Sequence, residues 1–102
     1  MINLNPKHAE TLRKIFELYC PDAEIWAYGS RVNGNCHNGS DLDLAVIDFN
    51  DPRKGISELK QLINDSNIPF LIDISEYHNL PLSFRNKIKK NGIVFFKYTQ
   101  SI

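Results

Sequence analysis

Two aspartates one residue apart, Asp41 and Asp43, lead into an apolar run, Leu44-Ala45-Val46-Ile47. In a strand, side chains alternate between faces, so both carboxylates project from one face, with Leu42 and Leu44 opposite. Like charges so placed repel each other. A divalent cation between them removes that cost, and an oxygen-only donor set suits Mg²⁺. Separated from Asp41 by ten residues, Gly29-Ser30 closes a second apolar run, Ile25-Trp26-Ala27-Tyr28. Glycine lets a backbone approach a phosphate, the following turn offers free N–H groups, and the serine hydroxyl adds a donor. Most Gly-Ser pairs are only turns, and two acids at a strand end are most simply solvated. Asp73 shifts that balance. It sits within Leu71-Ile72-Asp73-Ile74, where an unpaired buried carboxylate is costly. A water-facing edge position would account for it, and a third metal-facing carboxylate accounts for it better. Three carboxylates on adjacent strands, a phosphate turn and a flexible connector fit two-metal phosphoryl or nucleotidyl transfer. There, cations about 3.5–4 Å apart hold a triphosphate and activate the attacking oxygen.

The elements that must position these residues are legible in turn. Asn5-Pro6 reads as a helix cap followed by proline at the first helical position. Ala9, Leu12, Ile15, Phe16 and Tyr19 then recur at helical spacing to about Tyr19, and Cys20-Pro21-Asp22 ends the helix. Glu24–Tyr28 is the first strand. Ser30–Asn33 makes a short helical turn with Ser30 at its cap, and residues 33–40 form a glycine- and asparagine-rich loop. Leu42–Ile47 is the second strand. Asp51-Pro52 opens a second long helix, with Ile56, Leu59, Leu62 and Ile63 on one stripe to about Ser66. Phe70–Ser75 is a third strand, Pro81–Lys90 a third long helix ended by a glycine stop at Asn91-Gly92, and Ile93–Phe96 a fourth strand. The tail Thr99–Ile102 should fray. The expected architecture is α/β (α+β): one small mixed sheet with helices packed against it.

At 102 residues the chain suffices for a single core, so residues 1–102 are expected to form a single domain. Twelve Lys and Arg balance twelve Asp and Glu, which excludes the broad basic footprint of proteins that grip nucleic acid through phosphates. The cluster Lys87, Lys89, Lys90 reads as a solvated helix face. No apolar run reaches a bilayer-spanning length, and the N-terminus lacks the pattern of a signal peptide. Cys20 and Cys36 have neither zinc nor redox spacing, so reduced thiols in a cytoplasmic protein are the simplest reading.

Gly29-Ser30, ten residues, then Asp41-x-Asp43 matches the G-S-x10-D-x-D signature, and the chain therefore resembles the DNA polymerase β-like nucleotidyltransferase superfamily. Its length, its first helix and its Asp73 strand resemble the minimal nucleotidyltransferases of that superfamily, the MntA-type antitoxins encoded beside a HEPN-domain toxin. The resemblance implies a polymerase β-like palm and two Mg²⁺ ions held by Asp41 and Asp43, with Asp73 completing the triad and helping deprotonate the incoming hydroxyl. Gly29 and Ser30 would hold the β- and γ-phosphates. Arg31 is open to a triphosphate contact or a surface salt bridge. The implied activity is transfer of AMP from ATP to a tyrosine of the HEPN ribonuclease, which silences it. A docking antitoxin without catalysis, or transfer to a tRNA or small-molecule hydroxyl, are the alternatives. Larger superfamily members carry a helical lobe for base or acceptor recognition, which this sequence lacks.

The remaining candidates have plain readings. Cys36 and His37 lie near the acids without a second Cys/His pair, and so are a free thiol and a loop histidine. His8 and His78 read as surface residues and Trp26 as core. Ser83, Arg85 and Lys89 share a helix that could contact nucleotide or partner, with an exposed polar face the better reading. Phe95 and Phe96, being adjacent, should face opposite sides of their strand, one in the core and one free for a partner surface.

Overall fold

A computed structural model describes residues 2–34 and 41–97, the side chain of Asn33 excepted. The loop at 35–40, with Cys36 and His37, and the tail from 98 lie outside the described residues.

Helix α1 spans Pro6–Tyr19, and the Asn5 side-chain oxygen accepts from the Lys7 N–H at 2.9 Å, as its cap position demands. Strand β1 (Glu24–Tyr28) runs into the single turn α2 (Ser30–Asn33). The cap of that turn is Gly29 rather than Ser30, which is already helical. Strand β2 spans Leu42–Asp48. Helix α3 covers Ile56–Asn64, starting later than Asp51-Pro52 suggests. Asp51 instead folds its carboxylate back onto the Arg53 backbone N–H and guanidinium, closing a turn before the helix can begin. Strand β3 (Ile72–Glu76) leads through a short 3₁₀ turn at Tyr77–Asn79 to α4 (Leu82–Asn91) and β4 (Ile93–Lys97).

The strands form one sheet in the order β3-β2-β1-β4. β1 pairs antiparallel with β2 and with β4, and β2 pairs parallel with β3. A parallel pair needs a crossover, which α3 supplies. One face carries Ile25, Ala27, Leu42, Leu44, Val46 and Ile74, packed under Leu12 and Phe16 of α1 and Leu59 and Ile63 of α3. The other face holds a smaller cluster of Tyr28, Ala45, Tyr77 and Ile88, with Trp26 half-buried beside it. α4 covers only part of this second face. Strand alternation therefore places Asp43, between fully buried Leu42 and Leu44, on the thinly covered side.

Three local outcomes differ from the periodic reading. Phe95 and Phe96 do not face opposite sides in the expected way: both pack on Phe16, with ring centroids 6.1 and 5.5 Å away. A register shift against β1 between Ile25 and Trp26 pairs Phe96 with Ile25 and Val94 with Trp26, which leaves Phe95 as an extra residue. Such a bulge breaks the two-residue alternation. Leu62 of α3, expected on the buried stripe, is exposed. Gly92 ends α4 in extended backbone (φ −69°, ψ 154°), not in a left-handed stop. A side chain there would press on the Ile88 carbonyl and the Trp26 ring, so packing accounts for the glycine.

Candidate active site

The parallel register of β2 and β3 sets Asp43 directly opposite Asp73, and the antiparallel register of β1 and β2 sets Tyr28 opposite Asp43. Neighbouring strands lie about 4.8 Å apart, so the two carboxylates stand side by side on one face of the sheet. Asp43 is half-buried, while Asp73 and Asp41 are exposed, Asp41 just before β2 begins. Asp73 is thus the water-facing member of an apolar strand. Burial, then the charge of Asp73, then that of Asp41 push the Asp43 carboxyl up from 3.8 to about 6. Burial, then the charges of Asp43 and Asp73, push the Tyr28 phenol up to about 12.

Gly29 is the hinge between β1 and α2. Its backbone (φ 84°, ψ −158°) lies in a region open essentially to glycine alone, and a Cβ there would overlap the Asp43 carboxylate. The turn is thereby held tight against the acid pair. Ser30, half-buried, starts α2.

A cleft of about 430 Å³ opens at this point. Tyr28, Gly29 and Val32 line one side, Asp43 and Asp73 the floor, and Leu80, Phe84, Lys87 and Asn91 the other side. The volume falls in the range of small-molecule sites. A larger recess of about 500 Å³ sits elsewhere, at the opposite end of β2 around Asp48–Lys54. It contains none of the expected site residues.

Arg31 does not line the cleft. Its guanidinium lies over the Phe70 ring, 4.2 Å from the centroid, and donates to the Asn3 carbonyl at 2.9 Å. The Asn3 N–H returns a bond to the Arg31 carbonyl at 2.7 Å. Ser83 and Lys89 are exposed and outside the cleft, and Arg85 is half-buried with its Nε buried and unbonded among the described residues. The helical residues that do face the acids are Phe84, Lys87 and Asn91. Their spacing of three and four residues marks one helix stripe, a signal present in the sequence whose direction only the packing of Ile88 fixes. His8 is half-buried edge-on against Phe70, with ring centroids 5.6 Å apart, and His78 is exposed.

Among the described residues, no three acidic, histidine or cysteine side chains stand already gathered as metal ligands. Mg²⁺ in phosphoryl-transfer sites is held by one or two carboxylates plus substrate phosphates rather than by a closed protein cage. Adjacent carboxylates, one of them pushed up by burial and then by the charge of its neighbours, are donors of that kind, so the residues fit the ion.

A carboxylate pair on the open face of this sheet, facing a glycine turn, suits nucleotidyl transfer. The family model for polymerase beta nucleotidyltransferases matches residues 10–101, and the chain belongs to that family. It is 30% identical over 95 residues to a Haemophilus influenzae protein named "Probable protein adenylyltransferase MntA", covering 91% of this chain and 82% of that one. A solved structure described as a toxin–antitoxin with AMP-PNP shares the fold, with a TM-score of 0.68 at 22% identity over 87% of this chain and 73% of that one. Among the described residues, no helix is long and apolar enough to cross a membrane.

Proposed function

We propose that the protein is a Mg²⁺-dependent adenylyltransferase that moves AMP from ATP to a tyrosine hydroxyl of a HEPN-domain ribonuclease toxin, and so acts as its antitoxin in the cytoplasm. Residues 1–102 are taken as a single minimal nucleotidyltransferase domain. The observation that carries the reading is Asp43 facing Asp73 across the parallel pair, beneath the Gly29 turn. The relative named a protein adenylyltransferase supports protein as the acceptor, and the toxin–antitoxin neighbour supports a toxin as that protein.

In this reading Asp41, Asp43 and Asp73 would hold two Mg²⁺ ions, which would supply positive charge against the triphosphate. The tyrosine oxygen forms a bond to the α-phosphorus while the bond from that phosphorus to the bridging oxygen breaks. Pyrophosphate leaves. The Asp73 carboxylate, exposed at the cleft floor, takes the phenolic proton. Gly29 and Ser30 present backbone N–H and hydroxyl donors to the β- and γ-phosphates. Arg31, tied to Asn3 and Phe70, anchors the α2 turn and would reach a phosphate only by leaving those partners.

The test is the intact mass of a HEPN-domain toxin after incubation with this protein, ATP and Mg²⁺, beside an Asp41→Asn/Asp43→Asn double variant. A gain of whole AMP masses on a tyrosine, absent with the variant, is expected. An unchanged toxin that still forms a tight complex would overturn the catalytic reading in favour of neutralisation by docking.

A further inference from the structure

We infer that one stripe of α4 is the nucleoside-binding wall of this site: Phe84 stacks on the base of the nucleoside triphosphate and Lys87 pairs with its phosphates. The inference rests on the nucleotidyl-transfer reading above and adds which residues read the donor nucleotide.

The two sides of the cleft differ in chemistry. The floor carries Asp43 and Asp73, which repel a polyanion. Lys87 is the only cationic side chain lining the cleft among the described residues, and it lines the same cleft as those acids. A triphosphate lying over two carboxylates requires positive charge beyond what bound cations supply, and Lys87 is positioned to provide it. Phe84, one helical turn earlier, is an aromatic ring left 43% exposed. Beside Leu80 it adds apolar surface to a cleft whose other lining residues, Val32 apart, are mostly polar. A purine has a flat π-face and an apolar body, and stacking on an aromatic side chain is how sites hold bases without a deep pocket.

The Lys87 ammonium rests 5.7 Å from the Phe84 ring centroid, within cation–π range. The base end and the phosphate end of the wall are therefore adjacent on one rigid helix. Asn91 lies one turn beyond Lys87 on the same stripe. Neither Phe84 nor Lys87 contributes to the buried core, so neither is explained by folding.

The two roles separate by probe. Binding of ATP and of inorganic tripolyphosphate, each with Mg²⁺, is measured calorimetrically on wild-type protein and on Phe84→Ala, Phe84→Leu, Phe84→Tyr and Lys87→Gln, with thermal melts confirming that each variant is folded. Phe84→Ala should weaken ATP about tenfold or more and leave tripolyphosphate unchanged. Phe84→Leu should behave like Phe84→Ala and carries the test if the alanine variant is unfolded, while Phe84→Tyr should restore ATP binding. Lys87→Gln should weaken both probes by a similar factor, on the order of tenfold. Wild-type binding of ATP with unchanged binding by all variants, or a Phe84→Ala loss shared equally by tripolyphosphate, overturns this inference alone. Failure of the wild-type protein to bind ATP overturns the nucleotidyl-transfer reading and this inference with it.

Discussion

Asp43→Asn should make the metal-free protein more stable at neutral pH while removing its activity. Asp43 is pushed from 3.8 to about 6, first by burial and then by Asp73 and Asp41. Each tenfold change in proton affinity is about 1.4 kcal/mol, so the full rise caps the effect at about 3 kcal/mol. The carboxyl is only half-buried, and solvent screening reduces the expected effect to about 1 kcal/mol. Between about pH 4 and pH 6 the folded protein retains a proton that the unfolded chain has released, so stability falls as pH rises through that window. Above it the whole penalty persists. An asparagine has the same shape and no charge, and it should raise Tm at pH 7.5 in EDTA by about 4–8 °C for a chain of this size. At pH 4, where wild-type Asp43 is protonated in the folded state, the gain should vanish. Mg²⁺ should raise the Tm of the wild-type protein and not that of the variant. A variant no more stable than wild type at pH 7.5, or equally stabilised at both pH values, would refute the claim that Asp43 is held at a cost to folding.

Three further outcomes follow from the same geometry. Gly29→Ala places a Cβ in glycine-only backbone space and against the Asp43 carboxylate. It should cost about 1–3 kcal/mol in denaturant melts and reduce AMP transfer more than its effect on folding explains. Phe16→Ala empties a fully buried site that touches Phe95 and Phe96. A loss of about 3–5 kcal/mol is expected in urea titration, a large part of the stability of a small domain. The Cys20 thiol, pushed up to about 11 chiefly by burial, should stay unalkylated by iodoacetamide at pH 8 in native protein and react once the chain unfolds, read by mass mapping of its peptide.

The face that Asp43 occupies was legible in the sequence, because strand alternation is local and Leu42, Leu44 and Val46 mark the buried side; Asp41 precedes β2, so alternation does not place it. The cap at Asn5 and the apolar stripe of α1 were equally local, as was the Gly29-Ser30 turn after an apolar run. The spaced motif by itself marks the family. Several other features depend on contacts between elements. Asp73 meets Asp43 only through the parallel register that α3 permits. Phe95 and Phe96 share a core because a bulge against β1 displaces the alternation by one residue, and nothing in four consecutive apolar residues signals a bulge. Gly92 is small because the Ile88 carbonyl and the Trp26 ring lie against it, not because its backbone makes a left-handed stop. The cleft stripe of Phe84, Lys87 and Asn91, rather than Ser83, Arg85 and Lys89, follows from the rotation of α4 that buries Ile88. Periodicity fixes which residues share a face. Which face meets the acids is decided by the burial of apolar surface between elements far apart in the chain.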